Sequence, residues 1–275
     1  MSAWLNAARP RTLPLSISGV IVGTALANLY EKNNLLIFIL ALFTTISFQV
    51  TSNFANDYGD GVKGTDNSDR IGPKRALQSG SLSRKELKNG IIISILVSLF
   101  FVAALLYTSF GFENSGYLLL FAGLGVLSIW AAIKYTVGKS AYGYRGLGDV
   151  FVFLFFGLVG VLGSMFLYTK FLTDFSWLPA ITIGAMSVGV LNLNNLRDFE
   201  SDKKANKNTV VVKMGFENGK KYHYALLLSS FVCMLVFILN TFSEWYQLIP
   251  LLAFVPVAIH LLKVRRTTEP YLLDP

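Results

Sequence analysis

The chain is short of the residues that keep proteins in water. Only 15% of its 275 residues are charged, where a soluble domain carries about a quarter. It has one cysteine, Cys233, set inside an apolar run. That excludes an intrachain disulfide and argues against a thiolate site. Two histidines, His223 and His260, are too few to suggest a His-based zinc or haem site. The alternating ten-residue segments of a membrane β-barrel are missing. So are low-complexity tracts and any stretch long and polar enough for a soluble domain.

What is there is apolar length. Hydrophobic residues make up 53% of the chain and mean hydropathy is +0.53. A bilayer core of roughly 30 Å takes about 20 apolar helical residues to cross. Eight runs qualify, at roughly 12–29, 33–52, 90–110, 115–134, 149–169, 176–194, 222–242 and 247–263. Helices satisfy every backbone group internally, so an all-α polytopic bundle is expected. The first run is too long for a signal core, so the start reads as retained. Met1 to Ala8 reads as an interfacial lead-in anchored by Trp4.

The net charge of +8 invites a nucleic-acid reading, but the positions of the charges argue against it. All of the 24 Lys and Arg except Lys32 and Lys170 fall on one side of the bundle. This positive-inside bias explains the basic excess and puts both ends on the cytoplasmic side of a plasma (inner) membrane. Two long polar loops, 53–89 and 195–221, each follow the second span of a group of four. One integral domain of 1–275 is therefore expected, in two four-helix halves of about 1–135 and 136–265. Small residues recur within spans, as at Gly157, Gly160, Gly163, Gly184, Ala185 and Gly189. They suit close helix packing.

Each polar loop opens on carboxamides and carboxylates: Asn53-Phe-Ala-Asn56-Asp57-Tyr58-Gly-Asp60, and Asn194-Asn195-Leu-Arg197-Asp198-Phe-Glu-Ser-Asp202. Such groups are costly at the end of a membrane helix and usually mark a site. Spacing of four puts Asn56 and Asp60 on one helix face, and Asn194, Asp198 and Asp202 on another. Asp57 and Asp66 can join them. Oxygen ligands of this kind suit Mg²⁺, which takes a few carboxylates and completes its shell with water and phosphate oxygens. Without a cation the two acidic walls would repel each other. Lys63, Arg70, Lys74, Arg75, Arg197, Lys203, Lys204 and Lys207 crowd the same loops, with Tyr58 nearby. Mixed acidic and basic groups are what a metal-bound diphosphate needs. Taken singly, Asp69, Glu86 and Glu200 read as helix caps or solvated loop residues.

These residues resemble the two aspartate-rich motifs of the UbiA superfamily of intramembrane aromatic prenyltransferases. The similarity runs through Ala8-Arg9-Pro10-Arg11-Thr12-Leu13-Pro14, Asp57-Tyr-Gly-Asp60-Gly-Val-Lys63-Gly64-Thr-Asp66 and Asn206-Lys207-Asn208-Thr209. Asp69-Arg70-Ile-Gly72-Pro73-Lys-Arg75-Ala-Leu-Gln78-Ser-Gly80 and Tyr144-Arg145-Gly146-Leu147-Gly148-Asp149 resemble the MenA branch. That branch transfers a polyprenyl group to 1,4-dihydroxy-2-naphthoate in menaquinone synthesis.

The resemblance implies a UbiA-type helical fold around one cavity that binds Mg²⁺ and a polyprenyl diphosphate. Diphosphate departs, the aromatic ring attacks the allylic cation, and CO₂ is lost to give demethylmenaquinone. Carried over by position, Asn56, Asp60, Asn194, Asp198 and Asp202 hold metal and diphosphate, with Asp57 and Asp66 as supporting ligands. Asp60, Asp198 and Asp202 are the implied catalytic carboxylates. Lys63, Arg70, Arg75, Lys203 and Lys207 contact phosphate oxygens. Arg145, Lys134 and Tyr135 face the aromatic acid, and Arg11, Tyr58 and Asp149 complete the substrate contacts. Lys134 also ends a span, where it could simply snorkel to the interface. The family usually has nine spans, so the last helix is expected to be absent from this chain. A ubiquinone-pathway 4-hydroxybenzoate prenyltransferase shares the Asp motifs. A divalent-cation transporter would instead need carboxylates at the midplane, which are not seen. The expected partners are polyprenyl diphosphate, an aromatic acid and lipid, with no nucleic acid.

Overall fold

The computed structural model describes residues 2–65 and 74–273; every regular element among them is helical. A short α1 (Ser2–Ala8) leads through one 3-10 turn into α2 (Leu13–Asn28). The bundle continues as α3 (Leu35–Lys63), α4 (Arg84–Phe110), α5 (Ser115–Lys134), α6 (Gly148–Thr169) and α7 (Trp177–Arg197). Two short helices follow, α8 (Phe199–Lys204) and α9 (Val210–Met214). The last two crossings are α10 (Phe216–Thr241) and α11 (Trp245–Arg266). The chain is a multi-pass membrane protein.

Seven described helices are long and apolar enough to span a membrane, against the eight runs read from sequence. The difference is α2, which is helical as expected but has only 16 residues. At about 1.5 Å per residue it is short for a bilayer core. Ser16, Gly19, Val20, Gly23, Leu26 and Ala27 are buried against the bundle, whereas Ile21 is 48% exposed. Gly19 and Gly23 of α2 press on α6, where an added Cβ would lie 2.8 Å from Phe156 O and 2.3 Å from Val161 O. An added Cβ on Gly157 of α6 would likewise lie 2.6 Å from Gly184 Cα in α7. Gly163, by contrast, has nothing nearer than 3.7 Å. Over Phe153–Gly163 the backbone of α6 widens to π-helical hydrogen bonding.

The outward faces carry Leu96, Phe100, Leu119, Leu239 and Ile259, all exposed. The buried faces carry hydroxyls that tie helices together. Ser230 of α10 donates to Thr182 O at 2.7 Å, and Thr182 of α7 donates to Ser230 O at 3.2 Å. Trp4 is not a free interfacial anchor. Its ring packs edge-on to Phe54 at 5.4 Å and covers Gly90, so α1 docks onto α3 and α4. Glu86 is a cap as expected: it completes a capping box with Ser83 at the start of α4.

Candidate functional site

α3 stays helical two turns beyond its apolar run, and this carries Asn56 and Asp60 into the protein. The chain after α5 folds back against them. Thr136 Oγ1 lies 3.3 Å from Asn56 Oδ1 and 3.1 Å from Ala55 O. This approach requires Gly59, since an added Cβ would meet Thr136 Oγ1 at 2.4 Å. Tyr144 then donates to Asp60 Oδ1 at 2.8 Å and bonds Thr65 Oγ1 at 2.5 Å. Lys63 Nζ sits 3.8 Å from the centre of the same Tyr144 ring, a cation–π contact.

The second wall forms where α7 ends. Asp198 closes α7 and both of its oxygens are held by Arg197 at 2.8 Å. One helical turn later Asp202 N donates to Asp198 O at 2.8 Å. Asn206 adopts φ 55° and turns the chain back. Lys207 Nζ thereby reaches Asp202 Oδ1 at 3.3 Å. The walls are joined through the 142–146 turn. Asn208 N donates to Tyr144 O at 3.1 Å, Lys213 Nζ to Arg145 O at 2.5 Å, and Lys207 Nζ stands 5.9 Å from the Tyr144 ring.

The charges of the two walls act on one another. Burial pushes the Asp202 carboxyl up to about 6; Lys207 opposes this, while Asp198 and Asp60 add to it. Burial pulls Lys207 down, but the carboxylates of Asp202 and Asp60 outweigh it and hold its ammonium above the usual lysine range. Burial pushes the Tyr135 hydroxyl up to about 12; Lys207 opposes, and Asp60, Asp202 and Asp149 reinforce it. Tyr135 is therefore a proton-bearing donor at neutral pH.

Other residues named from sequence are placed differently. Asp57 is engaged elsewhere than Asn56 and Asp60, although it is three residues from Asp60 on the same helix. It lies 3.5 Å from Arg9 and 3.9 Å from Arg75, and accepts from Ala76 N at 3.1 Å. This pins the start of the chain to the 74–80 turn. Tyr58 packs in the apolar cluster around Leu82 and Leu87. Arg11, Lys74 and Arg75 line a separate cavity of about 300 Å³ with Asn6 and Arg9. Lys203 and Arg145 are exposed, and Lys134 is half-buried. Asn194 shares the α7 face of Asp198, to whose N–H its carbonyl accepts. Asp149 is buried beneath the Tyr222 hydroxyl, which donates to it. Asp66 and Arg70 lie outside the described residues. Tyr144, Thr136, Arg9 and Tyr222 were missed as site residues. Tyr144 and Arg9 carried a signal, as members of the Tyr144–Asp149 and Ala8–Pro14 stretches.

The donor set fits Mg²⁺. Among the described residues no three acidic, His or Cys side chains converge. A magnesium ion needs only one or two carboxylates when phosphate oxygens and water complete its shell. Asp60 and Asp202 supply one from each wall, and Asp202 Oδ2 is buried without a hydrogen-bond partner.

Residues 16–271 match the family model described as "UbiA prenyltransferase family". A 1,4-dihydroxy-2-naphthoate octaprenyltransferase of Haemophilus influenzae is 44% identical over 100% of the chain and 89% of its own length. The Escherichia coli protein of the same name is 46% identical over 88% of the chain and 77% of its own. The fold is similar to a UbiA homolog from Archaeoglobus fulgidus solved with GPP and Mg²⁺, at TM-score 0.70 and 16% identity, covering 99% of this chain and 91% of that one. The same homolog bound to DMAPP and Mg²⁺ gives TM-score 0.69, covering 97% and 89%.

Proposed function

The chain belongs to the UbiA prenyltransferase family, and we propose that it transfers a polyprenyl group from polyprenyl diphosphate to 1,4-dihydroxy-2-naphthoate. CO₂ and diphosphate are released, and demethylmenaquinone forms in its reduced, quinol state. The observation that carries this reading is the pairing of Asp60 with Asp202 across Tyr144, with Lys207 beside them. This would be a clamp for a metal-bound polyanion where α3 and the α7–α8 segment end. The relatives named as 1,4-dihydroxy-2-naphthoate octaprenyltransferases support the acceptor.

Asp60 and Asp202 would hold magnesium, and Asn56, Asn194 and Asp198 would complete the metal–diphosphate site. Bound there, Mg²⁺ would neutralise the charge that develops on the departing diphosphate. Lys63 and Lys207 supply fixed positive charge beside that oxygen cluster. Tyr144 holds Asp60 in one rotamer, and Arg197 does the same for Asp198. Tyr135, protonated, donates towards the same region. Arg11, Tyr58, Arg75, Lys134, Arg145, Asp149 and Lys203 complete the proposed substrate contacts. Asp57 would act as a second-tier support by fixing the α3 end. The basic loops support a cytoplasmic site in a plasma (inner) membrane.

The test is turnover by purified protein in lipid with a polyprenyl diphosphate and either 1,4-dihydroxy-2-naphthoate or 4-hydroxybenzoate. Prenylated naphthoquinol is expected, EDTA should stop its formation and Mg²⁺ should restore it. Product from 4-hydroxybenzoate alone would overturn the acceptor assignment. Full activity in chelator would overturn the metal role.

A further inference from the structure

Asp149 is a buried carboxylate that the diphosphate clamp leaves unused. It is 6% exposed, and its Oδ2 is buried without a hydrogen-bond partner. Three other site carboxylates have ion-pair partners: Asp57 has Arg9 and Arg75, Asp198 has Arg197, and Asp202 has Lys207; Asp60 has the Tyr144 hydroxyl, with Lys63 near enough to act on it. Asp149 has the Tyr222 hydroxyl of α10 and its own backbone N–H. An uncompensated carboxylate at the mouth of a membrane helix is costly unless it is used. Its place is defined by its neighbour. Gly148 lies under Tyr135, where an added Cβ would be 3.1 Å from the ring and 3.3 Å from the hydroxyl. The Tyr135 hydroxyl feels Asp149 as well as Asp60, Asp202 and Lys207. Asp149 thus stands beside Tyr135, next to the clamp but outside it.

We propose that Asp149, positioned by Tyr222, accepts the proton of a ring hydroxyl of the aromatic acceptor during prenyl transfer. The inference rests on the function proposed above. The allylic C–O bond to diphosphate breaks, and a C–C bond forms at the ring carbon that bears the carboxylate. The conjugated hydroxyl becomes a carbonyl, and its proton passes to Asp149. Loss of CO₂ returns a bonding pair to the ring. The carbonyl oxygen then becomes a phenolate and takes the proton back, so no outside oxidant or base is consumed. General-base help of this kind is worth about 10²- to 10⁴-fold.

The experiment compares wild type, Asp149→Asn, Asp149→Glu and Tyr222→Phe in lipid. Binding of a slowly reacting thiolo analogue of the prenyl diphosphate with Mg²⁺ reports an intact fold and clamp. Asp149→Asn should bind the analogue normally and lose at least about 100-fold in kcat, with Asp149→Glu recovering part of it. Tyr222→Phe should lose several-fold in kcat, and nothing more when added to Asp149→Asn. Asn turnover within about threefold of wild type would overturn the proposal. If the Asn variant does not bind the analogue, Tyr222→Phe decides: unchanged kcat overturns the proposal, and a fall in kcat at constant analogue affinity upholds it. Wild type inactive on the naphthoate would instead refute the function itself.

Discussion

Replacing Tyr144 by Phe removes one oxygen atom from the point where the two walls meet. The ring stays, so the cation–π contact with Lys63 at 3.8 Å is preserved. What is lost is the 2.8 Å hydrogen bond to Asp60 Oδ1 and the 2.5 Å bond to Thr65. A hydrogen bond to a charged group contributes about 1.5–3 kcal/mol. Asp60 is only half-buried, so water can replace part of the lost bond and the lower end applies. About 1.4 kcal/mol corresponds to a tenfold change in rate. Tyr144→Phe should therefore lower kcat about tenfold through misplacement of Asp60, leaving the KM for the aromatic acid unchanged. The Mg²⁺ concentration for half-maximal rate should rise, because the freed carboxylate is less well aimed. Turnover in lipid against Mg²⁺ concentration measures both. A rate within twofold of wild type, at an unchanged Mg²⁺ requirement, would refute the positioning of Asp60 by Tyr144.

Asp60→Ala and Asp198→Ala should abolish turnover in protein that still folds in detergent, with a lowered melting temperature for Asp198→Ala because the buried Arg197 loses its bidentate carboxylate. Asp57→Ala should instead act on stability, costing about 3 kcal/mol because it breaks a buried charge cluster; a Tm unchanged from wild type would remove Asp57 from this structural role. Mg²⁺ affinity should fall as pH drops through about 6, since burial keeps Asp202 protonated below that point and the metal must displace the proton. Asp202→Asn should erase that component and leave the titration of the substrate phosphate; an identical pH profile in both proteins would contradict it. Gly23→Ala should lower Tm by forcing α2 off α6, whereas Gly163→Ala, with 3.7 Å of clearance, should be tolerated.

The spacing of the acidic steps was readable because it depends on a single helix. Residues four apart share a face whatever surrounds them, so Asn56 with Asp60, and Asn194 with Asp198, could be paired from the chain alone. Asp57 shows the limit of that argument. Its neighbours in sequence are site residues, yet its carboxylate answers Arg9 and Arg75, and that pairing needs α1 to dock beneath α3. Trp4 departs from expectation for the same reason. The close seat of α2 on α6 was equally hidden, since hydropathy measures apolar length and not which glycine faces a neighbouring helix.

By itself, the sequence determined the medium, the helical class and the two acidic ends. Each follows from local quantities: apolar length against bilayer thickness, backbone satisfaction and helical periodicity. Tertiary structure alone decided which charge meets which. It put Tyr144 on Asp60, Lys207 on Asp202, Arg9 on Asp57 and Tyr222 on Asp149. Apart from Asp202 and Lys207, which are five residues apart, those pairings join residues far apart in the chain, and in a low-dielectric interior each one sets the charge and the reach of its partner.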